Sequence, residues 1–155
     1  MTSKNHAREA TRAAGCGLVA EVADSFGRVR LRVSGTSMAP GIRPGDLLSV
    51  ERAKLKEISA GQVVVFSREG RLIAHRVVTK TENAGETCLV TRGDRRWRND
   101  APVSSAEVVG RVTDIERGGS PVHVPIPPSV MQQLICCLLR FSDRATYLYL
   151  RLAAF

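Results

Sequence analysis

The sequence lacks any apolar run of the roughly 18 residues that a membrane-spanning helix requires. Its nearest approach, residues 130–141, is interrupted by Gln132, Gln133 and Arg140. The amino terminus, MTSKNHAREATRAAG, carries basic residues but no apolar stretch behind them, so no secretory signal peptide is expected. Aromatic residues make up only 5% of the chain, and a core has to be built from aliphatic side chains. The four cysteines, Cys16, Cys88, Cys136 and Cys137, include no C-x-x-C pair, which argues against a zinc module. Cys136 and Cys137 sit in an apolar run and read as small core residues in a reducing compartment. No internal repeat is present.

What the chain has is length, valine and positive charge. Its 155 residues suffice for one domain with a sizeable core, and 43% of them are hydrophobic. Abundant valine favours strands over a helical bundle. A net charge of +8 attracts phosphates, anionic lipid headgroups or acidic proteins, or simply keeps the surface soluble.

Periodicity divides the chain into four parts. Residues 1–28 read as a polar arm with a short helix, on which Leu18, Val19, Val22 and Phe26 recur at helical spacing. Val29, Leu31 and Val33 alternate with arginines, as in a strand. The segment SGTSMAPGIRPGD is a loop by composition and ends in the turn Arg43-Pro44-Gly45-Asp46. Strands are then expected over 47–51, 62–67, 71–79, 87–91 and 108–115, with a hairpin at Glu69-Gly70. This spacing predicts a mostly β, antiparallel domain over 29–117, closed as sheets or a partial barrel. Residues 118–128, rich in Gly and Pro, read as a linker. Residues 129–155 read as an amphipathic helical tail, with Val130, Leu134, Ile135, Leu138, Leu139 and Phe141 in one broad apolar stripe. Arg140, Arg144 and Arg151 flank it, so the tail either packs on the sheet or lies on an anionic membrane surface. The chain is accordingly expected in the cytoplasm or peripherally on a membrane.

Three places could carry chemistry. Ser37 lies in a loop of small residues, Gly35-Thr36-Ser37-Met38-Ala39-Pro40, where backbone is accessible to a carbonyl. A serine hydroxyl is a poor nucleophile unless a neighbouring base takes its proton. His75 shares a strand face with Ile73 and Val77, and a neutral imidazole there suits a base near neutral pH. Asp94 and Asp100 are the only carboxylates in a loop of four arginines, and either could orient an imidazole. Each has a plainer alternative: a loop serine, a hydrogen-bonded core histidine, surface ion pairs. The same arginines with Trp97 could instead form a nucleic-acid patch on a non-catalytic β-domain.

The order of the three segments resembles the signal peptidase I superfamily. SGTSMAPGIRPGDLLSV is similar to its nucleophile box, GQVVVF with RLIAHRVV to its general-base box, and LVTRGDRRWRNDAPV with VVGRV to its Gly-Asp box. A histidine before Arg76-Val77, where bacterial members carry lysine, is similar to the endoplasmic-reticulum and archaeal type. The first box also resembles the self-cleaving SOS-repressor and mutagenesis-protein peptidases, which use lysine. The resemblance implies a serine endopeptidase that processes a protein precursor, with Ser37 as nucleophile, His75 as general base and Asp100 as orienting acid. Asp94 would be structural or assisting, and Gly35, Thr36 and Met38 would lie at the substrate and oxyanion side. It implies no metal or organic cofactor, a protein or peptide substrate, and no nucleic-acid partner. The chain departs from the pattern in having Gly35 where some members place a second serine, and in lacking a visible spanning segment.

Overall fold

Four consecutive apolar residues, Val63-Val64-Val65-Phe66, cannot alternate between core and solvent, so a strand made of them needs cover on both faces. The computed structural model, which describes residues 14–15, 17–19, 21–23, 25–123, 130–139 and 143–152, gives them that position. The strands are β1 (Arg28–Arg32), β2 (Leu47–Glu51), β3 (Val63–Arg68), β4 (Arg71–Asn83), β5 (Glu86–Arg92), β6 (Val108–Arg117) and β7 (Ser120–Pro121). They form one seven-stranded sheet in the order β1-β2-β6-β3-β4-β5, with β7 added on β6. Every pairing is antiparallel. β3 is therefore internal. Val63 and Val65 join Met38, Ile42, Leu48, Val50, Val109 and Ile115 in one core, while Val64 and Phe66 join Ile58, Val77, Leu89, Val103 and Val108 in the other.

Three hairpins turn on residue pairs with positive φ: Glu69-Gly70, Ala84-Gly85 and Gly118-Gly119. Two successive left-handed residues match the twist of the flanking strands, the geometry that favours glycine in tight hairpins. The first turn lies where sequence places it. The second lets β4 run to Asn83, well past the expected end at residue 79. The third makes a hairpin of residues expected to break regular structure, so the segment read as a linker over 118–128 opens with a turn and the two strand residues Ser120 and Pro121. Gly45 adopts the left-handed conformation that its turn requires.

Helical residues fall within 14–26. Ala23 is fully buried and Val19 packs on the first core, whereas Leu18 and Phe26 are largely exposed. The polar arm over 1–13, Cys16, and the tail residues Ser129, Arg140 and Phe141 lie outside the described residues. Two helices, α1 (Val130–Leu139) and α2 (Asp143–Leu152), follow the sheet. They dock through Cys136, Leu139 and Thr146, which are buried, and through Tyr149, whose ring lies 5.6 Å from the Arg43 guanidinium. Of the apolar stripe, Leu139 is buried and Ile135 half-buried, while Val130, Leu134 and Leu138 are exposed. Cys137 is exposed as well, against the expectation of a core residue.

A buried carboxylate anchors the sheet to the loop that precedes β2. Asp46 is 1% exposed and accepts two hydrogen bonds from Arg117 of β6, at 2.8 and 2.7 Å, and one from the Arg43 amide at 2.8 Å. Asp46→Ala removes all three of these hydrogen bonds and leaves Arg117 without its counter-charge. It is expected to cost about 3 kcal/mol, near the lower limit for breaking a buried pair because Arg117 keeps access to water. Thermal melts of wild type and variant at neutral pH measure this, and an unchanged melting temperature would contradict it.

Candidate active site

The loop before β2 holds Ser37 at the surface by burying its neighbours. Met38, Ala39 and Ile42 are almost inaccessible, while Ser37 is half-buried. Tight turns fix the segment, with the Ala39 amide donating to the Thr36 carbonyl at 3.1 Å and the Ile42 amide to that of Met38 at 3.0 Å. The Met38 side chain points into the core, where its sulfur accepts from the Asp94 amide at 3.4 Å. The Ser37 carbonyl accepts from the Arg95 amide at 2.9 Å, which ties this loop to the one following β5.

β4 presents His75 opposite Val64 of β3, on the face of the second core. The residue is 6% exposed, and its ring meets Phe66 edge-on at 6.2 Å. Its Nε2 lies 3.0 Å from Ser37 Oγ, and its Nδ1 lies 2.6 Å from Asp100 Oδ2. Protonation states follow from the partners. A carboxylate only accepts, so Nδ1 carries the proton and donates it to Asp100, leaving the Nε2 lone pair to accept from the serine hydroxyl. Three residues named from sequence thus stand in one hydrogen-bonded line.

Asp94 stands elsewhere. Its two oxygens accept from Arg76 Nε and Nη2 at 2.9 and 2.8 Å, with both side chains nearly buried. Arg76 also donates to the Gly61 carbonyl at 2.7 Å. Asp94 is therefore brought to the neighbour of His75, not to the imidazole.

Thr91, Gly93 and Arg95 complete the site and were given no part in it from sequence, where Arg95 was read only as a possible nucleic-acid contact. Thr91 is fully buried and donates its hydroxyl to the same Asp100 oxygen at 2.7 Å, while its carbonyl accepts from the Asp100 amide at 2.8 Å. Gly93 passes so close to the site that a β-carbon there would lie 2.9 Å from His75 Nε2 and 3.0 Å from the Ser37 carbonyl oxygen. Any side chain would push the imidazole or the serine loop aside. Arg95 donates to Thr36 Oγ1 at 3.0 Å and to the Leu139 carbonyl at 3.0 and 3.2 Å. A cation at a helix carboxyl end meets the negative pole of its dipole, so α1 is held against the Ser37 loop. The Gly-Asp spacing marks Gly93, but Thr91 and Arg95 have partners distant in sequence that no local pattern reveals.

Two clefts meet at Ser37. One, of about 810 Å³, is lined by Gly35, Thr36, His75 and the 95–100 loop. The other, of about 490 Å³, runs between Leu31–Gly35 and Arg71–His75 and has apolar walls from Leu31, Val33, Leu72 and Ile73. β5 pairs with β4 only from Arg76 onward, so the outer edge of residues 71–75 has no strand partner among the described strands. Such an edge can accept an extended peptide as an added strand.

The family model described as Peptidase S24-like matches residues 17–113, more than half of the chain. The signal peptidase complex catalytic subunit of Neurospora crassa is 35% identical over 85 residues, which are 53% of this chain and 49% of that protein. The corresponding subunit of Fusarium vanettenii is 37% identical over 82 residues, 51% of this chain and 47% of that protein. The chain spans about half the length of these curated relatives.

Asp100 gives the site a predictable acid response. Burial by itself would raise its carboxyl, but hydrogen bonds from His75 and Thr91, with the charges of His75 and Arg68, outweigh burial and hold it below the ordinary 3.8. A group depressed in the folded state takes up its proton at lower pH than in the unfolded chain. Its stabilising contribution is complete above the unfolded value and is lost as pH falls through the folded one. The melting-temperature difference between wild type and Asp100→Asn should be flat above about pH 5 and shrink below it. A difference that stays constant down to about pH 2 would show that the carboxylate charge contributes nothing.

Proposed function

Since the chain belongs to the Peptidase S24-like family, we propose that it is a serine endopeptidase that cuts a peptide bond in a protein precursor. The observation that carries this reading is the line from Ser37 Oγ through His75 to Asp100, at 3.0 and 2.6 Å. In this mechanism Ser37 attacks the scissile carbonyl and His75 Nε2 takes its proton, then returns it to the leaving amine. Asp100 holds the imidazole in the tautomer that can accept, and stabilises it once charged. Water, deprotonated by the same imidazole, then releases the acyl group from Ser37. Asp94 supports the arrangement from a distance by pairing with Arg76.

The oxyanion that forms during attack needs donors that are already aimed. The Ser37 amide has no hydrogen-bond partner among the described residues and supplies one. Gly35 and Thr36 border the cleft beside it, and Met38 supports the turn from beneath. A small or apolar substrate residue occupies the apolar cleft while the peptide backbone follows the open edge of β4. The two fungal relatives named as signal peptidase catalytic subunits favour signal-peptide-type or maturation processing. Within this reading residues 29–117 form the peptidase domain and 129–155 the tail.

We assign the tail to an anionic membrane surface. No described helix is long and apolar enough to cross a membrane. Yet α1 exposes Val130, Met131, Leu134 and Leu138, and α2 exposes Tyr147, Leu148 and Leu152, with Arg144 and Arg151 also exposed. Helices of this kind bury their apolar residues among lipid headgroups while each arginine gains about 1 kcal/mol near an anionic surface. The full chain should float with vesicles containing anionic lipid. The double variant Leu134→Gln, Leu138→Gln should stay behind without losing melting temperature. Equal flotation of both, or of neither, would count against membrane contact through this face.

For the chemistry, Ser37→Ala and His75→Ala should each lower turnover of a cleaved peptide by about 10⁴ or more. Asp100→Asn should lower kcat, because the imidazole loses the partner that sets its tautomer, whereas Asp94→Asn should act mainly on melting temperature. Near-wild-type turnover in Ser37→Ala would refute the assignment. A dead Asp94→Asn beside an active Asp100→Asn would exchange the roles of the two carboxylates.

A further inference from the structure

We infer that the cleft selects peptides with acidic residues flanking the scissile bond, an inference that rests on the peptidase reading above and names its substrate class. Five arginines elsewhere on the sheet meet carboxylates: Arg28 with Glu51, Arg30 with Glu116, Arg68 with Glu107, Arg76 with Asp94 and Arg117 with Asp46. Three arginines around Ser37 do not. Arg71, Arg96 and Arg98 are exposed, line the two clefts and make no ion pair among the described residues. Among the described residues the one carboxylate in either lining is Asp100, and it is engaged by His75 and Thr91.

Position gives this charge a use. Arg96 borders both clefts and so stands beside the bond that Ser37 would attack. Arg71 opens the unpartnered edge of β4, and Arg98 lies on the other side with Trp97. A peptide running along that edge passes Arg71, then the apolar walls, then Arg96, and leaves by Arg98. Carboxylates on its flanks meet guanidiniums that have no acidic partner among the described residues, while a small side chain between them fills the apolar cleft. Lysines at those places would meet like charge. The net charge of +8 draws the same substrates from a distance, an effect that salt screens.

The test uses the full chain and a peptide library with a fixed small-residue centre and Asp, Asn or Lys on either side. Products are read by mass spectrometry, and kcat/KM is measured at low and high salt. Each Asp should raise kcat/KM over Asn by roughly three- to tenfold at low salt, each Lys should lower it, and salt should narrow the spread. Arg96→Glu should invert the order, favouring Lys over Asp. Arg71→Glu should do so for the flank it meets, so a failure of one variant to fold leaves the other informative. Ser37-dependent cleavage with equal rates for Asp and Lys peptides overturns this inference and leaves the peptidase reading standing. An unchanged order in the folded charge-reversal variants does the same. Cleavage that persists in Ser37→Ala, or no cleavage by wild type, overturns both.

Discussion

The arrangement depends on a buried ion pair that takes no part in the proposed chemistry. The side chains of Arg76 and Asp94 are both almost inaccessible, and the guanidinium donates to both carboxylate oxygens and to the Gly61 carbonyl. Successive residues of a strand point to opposite faces, so Arg76 and His75 diverge from adjacent positions on β4. The loop after β5 meets both, Asp94 at the first and Asp100 at the second. Desolvation offsets much of what such a pair contributes to stability, and a well-packed apolar pair could match it. An apolar pair would not define the loop's position, because it lacks the planar, two-point geometry of guanidinium on carboxylate. The pair's value lies in the register it imposes on Asp100.

A second set of bonds works on the serine side. The Arg95 amide holds the Ser37 carbonyl, and the Arg95 side chain joins Thr36 to the last carbonyl of α1. One residue of the Gly-Asp loop therefore touches the serine loop by its backbone and the helical tail by its side chain. Gly93 beside it leaves room for the imidazole. The loop over 93–100 is thus the common support of all three members of the hydrogen-bonded line. Arg68 braces the segment beyond it through the Ala101 and Pro102 carbonyls.

The strands and the three aligned residues were legible in sequence for different reasons. Alternation in β1 and β4, and the unbroken run of β3, follow from which faces are covered, and that pattern is local. Ser37, His75 and Asp100 come from the order of three motif-bearing segments, which no single segment would justify. Periodicity did not reveal the Ala84-Gly85 turn, because alanine seldom takes positive φ, so β4 reads shorter than it is. It also left open what covers the tail. An apolar stripe says that a helix has an apolar face but not whether the protein covers it, and here docking falls to Cys136, Leu139 and Thr146. Thr91 and Arg95 escaped for a related reason: their partners Asp100, Thr36 and Leu139 become neighbours only through the fold.

The bare edge of β4 has a consequence for the protein as a colloid. An unpaired strand edge is a template for any extended chain, including the same edge on a second molecule. Two such edges meeting antiparallel would bring the Arg71 and Arg96 groups of one copy towards those of the other, with no carboxylate between them to neutralise the charge. Like-charge repulsion at short range would then oppose the first step of edge-to-edge aggregation. The opening can stay unpaired in solution without a lid, guarded by the charge at its rim.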